Sequence, residues 1–363
     1  IREGDTVARL GGDEFMILME DYKATEDAHI VANKVLKSMD KAFTVQDQEL
    51  FVTTSIGISL YPEDGVTVDK LIRNSDTAMY KAKNKGRNNY QFYTSELTAI
   101  AIENLRLESS LRLGLERQEF QLHYQPKWNT KTQEITGVEA LLRWHHPERG
   151  LIGPDNFLNT LEDCGLMIPV GKWLLLTACQ QARTWREQGL PAIQMSVNLS
   201  GQEILSGDLL NTVIESLEKS RFDPRYLELE ITEGFIMQQP GEVIEFLNSL
   251  RTMGVSFAID DFGTGHSSLS YLKQLPVQKL KIDRSFIQDI PHDSNDMAIT
   301  SAIVALGHRL QMSIVAEGVD TKEQLEFLVN EGCEEAQGYL FSQQLPAEEL
   351  EPLLQQGELR QIV

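Results

Sequence analysis

Carboxylate, amide and lysine side chains recur at the ends of apolar runs through the second half of the chain. The run from Ser256 closes on two adjacent carboxylates, Asp260 and Asp261, and passes into a Gly- and Ser-rich turn that leads to Tyr271. Two carboxylates where a core strand ends cannot both stay ionised in a dry interior unless cations neutralise them. A divalent metal ion is the simplest such cation. Taken alone, the pair also reads as two solvated turn aspartates, and the rest of the chain decides between the readings. Glu139, Asn198, Glu230, Glu233, Lys281, Glu317 and Gln337 each stand in or at the end of a strand-like segment. Polar ends recurring strand after strand imply one shared site. Glu139, Asn198, Glu230 and Asp260 would supply hard oxygen ligands of the kind Mg²⁺ and Mn²⁺ prefer.

Side chains from separate strands converge only if those strands lie side by side with their ends at one face. From Phe120 onward, strand-like and helix-like runs alternate, which predicts an α/β barrel of the TIM type with its active site at the C-terminal face of the strands. Strands are predicted at 120–126, 133–144, 192–199, 226–232, 255–261, 277–282, 312–317 and 336–341, with helices at 156–164, 167–188, 202–219, 241–253, 267–273, 296–310, 322–331 and 347–354. The connection 127–132 is too short for a parallel crossover, so the first two strands are expected to form an antiparallel hairpin. In Leu227 to Ile231, alternation puts Glu228 and Glu230 on one face and the aliphatic side chains on the other. The aliphatic face should meet the surrounding helices, which leaves Glu230 pointing toward the barrel mouth.

The first part of the chain has a different texture. Arg9 to Met19 reads as a turn entering an apolar strand, with Gly11 and Gly12 free to take positive φ and to let a ligand approach the backbone. Asp27 to Met39 has helical apolar spacing, Phe51 to Leu60 reads as a strand, and Asp69 to Lys85 reads as a helix ended by Gly86. Thr94 to Arg117, rich in Leu, Glu, Arg and Ala, reads as a connecting helix and thus a semi-rigid arm.

Composition narrows the class of function. A chain of 363 residues, 41% of them hydrophobic, has room for two domains or one large barrel and an ordinary core. A formal charge of −21 argues against a nucleic-acid surface, which needs clustered Lys and Arg to displace counterions. A small anionic substrate remains compatible if metals bridge it. Cys164, Cys179 and Cys333 are odd in number and lack CxxC spacing, so buried free thiols in a reducing, cytoplasmic compartment are expected. No run approaches the ~18 apolar residues that span a bilayer, and no membrane contact is expected of this segment. Because the sequence opens at Ile1 inside a domain already under way, it reads as the C-terminal part of a longer protein, whose membrane anchoring stays open.

The stretch from about Leu111 to Leu354 resembles the EAL domain, the barrel phosphodiesterase that hydrolyses cyclic di-GMP. The resemblance rests on Glu139-Ala140-Leu141-Leu142-Arg143-Trp144, Val197-Asn198, Glu230-Ile231-Thr232-Glu233, Asp260-Asp261-Phe262-Gly263, Lys281-Ile282-Asp283, Ala316-Glu317 and Gln337-Gly338-Tyr339, in that order. It implies two Mg²⁺ or Mn²⁺ ions, one held by Glu139, Asn198, Glu230 and Asp260, the other by Asp260, Asp261 and Glu317. Two such ions can clamp the attacking and leaving oxygens of a phosphodiester displacement. By the same resemblance Lys281 and Gln337 would stand at the attacking water, Glu233 would hold the 263–268 loop, and Gln125 and Arg143 would meet substrate, the forked guanidinium suiting a phosphate. His266 and Asp320 depart from the residues more frequent in the family, Tyr and Glu. A homodimer through the barrel is the family expectation.

Residues 1–93 resemble the GGDEF domain, the palm-like fold that condenses two GTP molecules into cyclic di-GMP. Gly11-Gly12-Asp13-Glu14 and the run Asp76 to Asn88 carry that resemblance. It implies nucleotide approach at Gly11 and Gly12, metal and hydroxyl at Asp13 and Glu14, phosphates at Lys83 and Arg87, and GTP as a ligand. Arg2 and Asp5, with five residues between Asp5 and Gly11, match that family's inhibitory product site; an exposed ion pair is the other reading of the two. The family's first strand, with another metal-binding Asp, would lie before Ile1. The expected division is therefore a GGDEF-like unit at 1–93, a connecting helix at 94–110 and a barrel at 111–358. The expected function is hydrolysis of cyclic di-GMP to linear pGpG, with the first unit regulatory or a cyclase only in the longer protein. The alternatives are a non-catalytic cyclic di-GMP receptor, which typically lacks several of these acidic residues, and a bifunctional synthase and hydrolase.

Overall fold

The structure, a computed structural model, describes residues 4–20, 25–39, 43–45, 48–50, 52–265 and 269–356. The chain forms two compact units, 1–109 and 110–363. In the first, β1 (Thr6–Gly11) and β2 (Glu14–Leu18) are an antiparallel hairpin turning at Gly12 and Asp13, where Gly12 has φ +53°. That conformation costs a glycine nothing. α1 spans Thr25–Met39, and β3 (Phe43–Val45) pairs with β4 (Gln48–Leu50). β5 (Ile56–Ile58) pairs in parallel with β6 (Tyr90–Phe92) across α2 (Val68–Asn84). α2 begins on a Thr67 cap and buries Ala78 and Ala82. It packs so closely on β5 that a Cβ at Gly57 would meet the Ser75 carbonyl oxygen at 1.8 Å. The expected strand 51–60 is thus realised only over Ile56–Ile58. Arg2 lies outside the described residues.

α3 (Ser95–Glu116) runs across the division between the units, matching the helix expected there. The second unit then opens with β7 (Phe120–Asn129), β8 (Ile135–His146) and β9 (Gly150–Ile152). A short 3-10 turn, Pro154–Asn156, leads to α4 (Leu158–Asp163) and α5 (Met167–Glu187). Next come β10 (Gln194–Leu199), α6 (Gly201–Leu205), α7 (Leu209–Ser220) and β11 (Leu227–Thr232). α8 (Glu233–Gln238), α9 (Pro240–Arg251), β12 (Ser256–Phe262) and α10 (Leu269–Leu272) follow. β13 (Lys279–Ile282), α11 (Ser294–Arg309), β14 (Ser313–Glu317), α12 (Lys322–Glu331), β15 (Glu335–Gln337) and α13 (Ala347–Gln356) complete it.

Eight of these strands close into a barrel in the order β7, β8, β10, β11, β12, β13, β14, β15 and back to β7. β7 runs antiparallel to both neighbours and the other pairings in the ring are parallel. The antiparallel first hairpin read from the short 127–132 connection is present. Alternation does what the sequence implies: Leu227, Leu229 and Ile231 are fully buried against the helical layer, while Glu228 and Glu230 turn into the barrel and are equally buried.

Three local expectations are corrected. The helix expected over 202–219 is two helices, because Gly207 takes φ +75° and Asp208 stands as the N-cap of α7. The strand expected over 336–341 ends at Gln337, since a Cβ at Gly338 would lie 2.1 Å from the Val319 carbonyl oxygen and only a turning glycine fits against that loop. The sequence reading also missed α8, a short helix that starts at Glu233.

Candidate active site

The polar strand ends meet at the barrel mouth. Glu139 comes from β8, Asn198 from β10, Glu230 from β11, Asp260 and Asp261 from β12, Lys281 from β13, Glu317 from β14 and Gln337 from β15. Lys281 is at the centre and fully buried. Its Nζ donates to Glu230 Oε2 and lies 3.0 Å from Asp260 Oδ1, 2.6 Å from Glu317 Oε1 and 3.6 Å from Glu139 Oε2. Around this ammonium an amide layer fixes Glu139: Asn198 Nδ2 donates to its Oε1 at 2.6 Å and Gln337 Nε2 to its Oε2 at 2.7 Å. Gln337 Nε2 also reaches Gln125 Oε1 at 3.0 Å, which brings in β7. The Gln337 Oε1 atom is buried and, among the described residues, has no hydrogen-bond donor on it, which leaves it an open acceptor.

Adjacent strand residues normally point to opposite faces, yet Asp260 and Asp261 serve one mouth. The β12–β13 register shifts between Ile259 and Phe262, and Asp261 takes φ +53°. Such a bulge re-aims a side chain, and Asp is among the residues that tolerate the left-handed region. Asp261 N–H donates to Asp260 Oδ1 at 3.0 Å. Oxygens of Asp260, Asp261 and Glu317 all lie within 4.8 Å of one another.

Four carboxylates, Glu139, Glu230, Asp260 and Glu317, therefore crowd one lysine with Asp261 beside them, and the acidities of Glu139, Glu230, Asp261 and Glu317 record the imbalance. Burial, against the pull of Lys281, holds Glu139 and Glu317 above the usual carboxylate range, with neighbouring carboxylates adding to the effect. Burial and the Asp260 charge push Asp261 up to about 6. Glu230 goes the other way, to about 2, because Lys127 and Lys281 together outweigh its burial. A surplus of converging carboxylate oxygens is the donor set a hard divalent cation takes. Asp260, Asp261 and Glu317 fit one directly. Glu139 and Glu230 stand in the same network, but their oxygens accept from amides and ammonium groups of the chain itself, and Asn198 meets Glu139 through its Nδ2.

Glu233 heads α8, fully buried, and its Oε2 accepts from Gly263 N–H at 2.8 Å. A Cβ at Gly265 would lie 3.2 Å from the Glu233 carboxyl, so the turn after β12 lies directly on it. His266 falls outside the described residues. Arg143 stands four residues beyond Glu139 on β8, donating to Leu142 O at 2.6 Å and to Gln344 Oε1. Gln125 Nε2 donates to Ser342 O at 3.2 Å. In the first unit Gly11, Gly12, Asp13 and Glu14 form the exposed β1–β2 tip, where Arg9 donates to Gly12 O at 2.9 Å. Lys83 and Arg87 lie at the end of α2 and just past it, and Asp5 immediately precedes β1.

Sequence reasoning missed a second charged layer under the first. Lys127 Nζ donates to Ser196 Oγ (2.7 Å), Glu228 Oε1 (3.0 Å) and Glu230 Oε1 (2.5 Å). Lys279 Nζ reaches Glu335 Oε2 at 2.8 Å and Gln194 Oε1 at 2.6 Å, with Glu228 Oε2 at 3.4 Å. The usable signal was parity: Lys127 is two residues from Gln125 and Glu228 two from Glu230, so each shares the inward face of its strand.

A closed, mostly parallel barrel with an antiparallel entry strand and an acidic mouth defines a class of site, and the comparisons agree on its kind. The EAL domain profile matches residues 108–344, so the chain belongs to the EAL-domain family; the profile of the diguanylate cyclase GGDEF domain matches residues 1–89. Among curated proteins the chain is 46% identical over 350 residues to the bifunctional diguanylate cyclase/cyclic di-GMP phosphodiesterase MucR of Pseudomonas aeruginosa, covering 96% of this chain and 51% of that one. It is 40% identical over 354 residues to the cyclic di-GMP phosphodiesterase NbdA of the same species, covering 98% and 45%. The chain thus spans about half the length of these relatives. Among solved structures, a MucR phosphodiesterase in complex with c-di-GMP matches with TM-score 0.66 and 47% identity, over 68% of this chain and 99% of that one. The EAL enzyme Bd1971, bound to cAMP and cyclic di-GMP, matches with TM-score 0.69 and 33% identity over 80% and 77%. No helix among the described residues is long and apolar enough to cross a membrane.

Proposed function

We propose that the barrel is a metal-dependent phosphodiesterase that opens cyclic di-GMP to linear pGpG. The observation that carries the reading is the convergence of Asp260, Asp261 and Glu317 oxygens beside Lys281, in a family whose relatives include MucR and NbdA. Asp260, Asp261 and Glu317 would hold one Mg²⁺ or Mn²⁺ ion, and Glu139, Asn198, Glu230 and Asp260 a second once the carboxylate oxygens turn from their present partners. Bound divalent ions lower the pKa of water and offset phosphate charge. The chain's own groups do the rest. Lys281, already beside Asp260 and Glu317, would stabilise the extra negative charge that gathers on phosphorus-bound oxygen as water adds. Gln337 Oε1, which has no donor on it among the described residues, would accept a hydrogen bond from that water and so orient its lone pair. One water is consumed: its oxygen bonds to phosphorus, the bond to the 3′ oxygen breaks, and that oxygen leaves protonated.

Arg143 and Gln125 at the rim would hold a phosphate and a guanine edge, and Glu233 would keep the post-β12 turn closed. The first unit, residues 1–93 joined through 94–110 to a barrel at 111–358, would be regulatory, with GTP at Gly11, Gly12, Asp13, Glu14, Lys83 and Arg87, and a product site involving Asp5 and Arg2. Dimerisation through the barrel completes the proposal. The test is incubation of the chain with cyclic di-GMP and Mg²⁺ or Mn²⁺. Release of pGpG that disappears in Asp260→Asn is expected; binding without cleavage by the wild type would make the barrel a receptor.

A further inference from the structure

Lys127 belongs to the entry strand β7 and sits beneath the mouth, fully buried, where it could be no more than the counter-ion of Glu228. Its geometry says more. An ammonium has three protons, and here all three have partners: Ser196 Oγ at 2.7 Å, Glu228 Oε1 at 3.0 Å and Glu230 Oε1 at 2.5 Å. Ser196 Oγ itself donates to Glu228 Oε1 at 2.7 Å, so two anchors from β10 and β11 brace the lysine. Glu230 is consequently held by both oxygens from opposite sides, Oε1 by Lys127 below and Oε2 by Lys281 at the mouth.

We infer that Lys127 is a positioning residue of this site: by pinning Glu230 Oε1 it stops the carboxylate rotating and keeps Oε2 presented to the mouth. The inference rests on the phosphodiesterase reading only in taking Glu230 as part of that site. Freed of Lys127, Glu230 could turn both oxygens onto Lys281, which would draw the ammonium off Asp260 and Glu317 and spoil a cation site that Glu230 borders. The groups facing Lys127 are Glu228, Glu230 and Ser196, with Glu139 and Lys281 adding charge from further off.

Three variants decide it: Lys127→Met, Lys127→Met with Glu228→Gln, and Ser196→Ala, each measured for Mn²⁺ affinity by calorimetry, for kcat and KM with cyclic di-GMP, and for urea midpoint. Lys127→Met is expected to weaken Mn²⁺ binding by about 10- to 100-fold, the range for groups that orient metal ligands, with kcat falling and KM unchanged. Adding Glu228→Gln restores the urea midpoint and leaves Mn²⁺ affinity low. Ser196→Ala keeps every charge, removes one brace, and is expected to weaken Mn²⁺ binding a few-fold; it decides the matter if the methionine variants do not fold. Recovery of Mn²⁺ affinity in the double variant would reduce Lys127 to charge balance, and wild-type affinity in Ser196→Ala with Lys127→Met either unfolded or unaffected would also overturn the inference. A wild-type chain that binds no Mn²⁺ would overturn the proposed function instead.

Discussion

Lys281 stands where five carboxylates would otherwise repel one another, and its removal separates charge balance from chemistry. Losing one partner of a buried ion pair costs about 3–5 kcal/mol, so Lys281→Met is expected to lower the urea midpoint of metal-free protein sharply. Mn²⁺ should restore more stability to this variant than to the wild type, because a cation then replaces the missing ammonium, while turnover stays lost. Equal Mn²⁺ effects in both proteins would show that Lys281 and the cation do not share these carboxylates. Glu139, fixed by two amides, should behave differently: Glu139→Ala is expected to cut pGpG release more than about 100-fold, beyond the loss typical of orienting groups. Asp261 supplies a pH test. Its folded pKa of about 6 is raised by burial and Asp260, so the metal-free fold is favoured while Asp261 is protonated and loses that contribution as pH rises from near 4 through about 6. Asp261→Asn mimics the protonated form. It should therefore match wild-type stability near pH 4 and exceed it above pH 6 in the presence of chelator; parallel pH profiles for the two proteins would contradict this.

At the scale of elements, the site depends on irregularities in otherwise regular strands. The β12 bulge and the positive φ of Asp261 aim consecutive carboxylates at one mouth, and α8 then presents Glu233 to the turn that follows. The buried Glu233 carboxylate is thus a clasp on Gly263. Glu233→Ala should raise hydrogen exchange at Gly263 and weaken Mn²⁺ binding, with turnover falling in step; unchanged exchange there would make the turn self-supporting. The glycine after β15 is a second such point. A Cβ at Gly338 would collide with Val319 O at 2.1 Å, so Gly338→Ala is expected to destabilise the barrel by about 1–3 kcal/mol and to displace neighbouring Gln337 from Glu139. Thermal melts and kcat would both report it.

For the molecule as a whole, every residue of the linked network at the mouth comes from the second unit, from β7 through β15. Hydrolysis is therefore expected of a fragment beginning at residue 108, measured beside the intact chain. Less than about one-tenth of the intact activity would mean that the first unit completes the site. Closure makes this self-sufficiency intelligible: β7 pairs with both β8 and β15, so no sheet edge is left open in the ring, and a packed ring holds eight strand ends to one geometry.

How much of this was legible in the chain depended on whether the signal was local. The α/β alternation, the antiparallel entry hairpin and the inward face of Glu230 followed from strand period and connection length, which are properties of a few consecutive residues. The polar strand ends, and through their order the family, could be read for the same reason. The break of the helix over 202–219 lies at Gly207, a local signal that the sequence reading passed over, whereas why β15 stops at Gln337 turned on backbone packed against the distant Val319, which no window of sequence contains. The same is true of the charged layer beneath the mouth. Lys127 and Glu228 lie 101 residues apart, and only barrel closure gives a lysine the low-dielectric, three-acceptor setting in which its charge positions a neighbour instead of remaining in water. The sequence by itself determined which side chains point inward and near which strand ends; the tertiary structure decided which carboxylate oxygen faces which ammonium, because that depends on the tilt of the strands and on register shifts such as the β12 bulge that breaks their alternation.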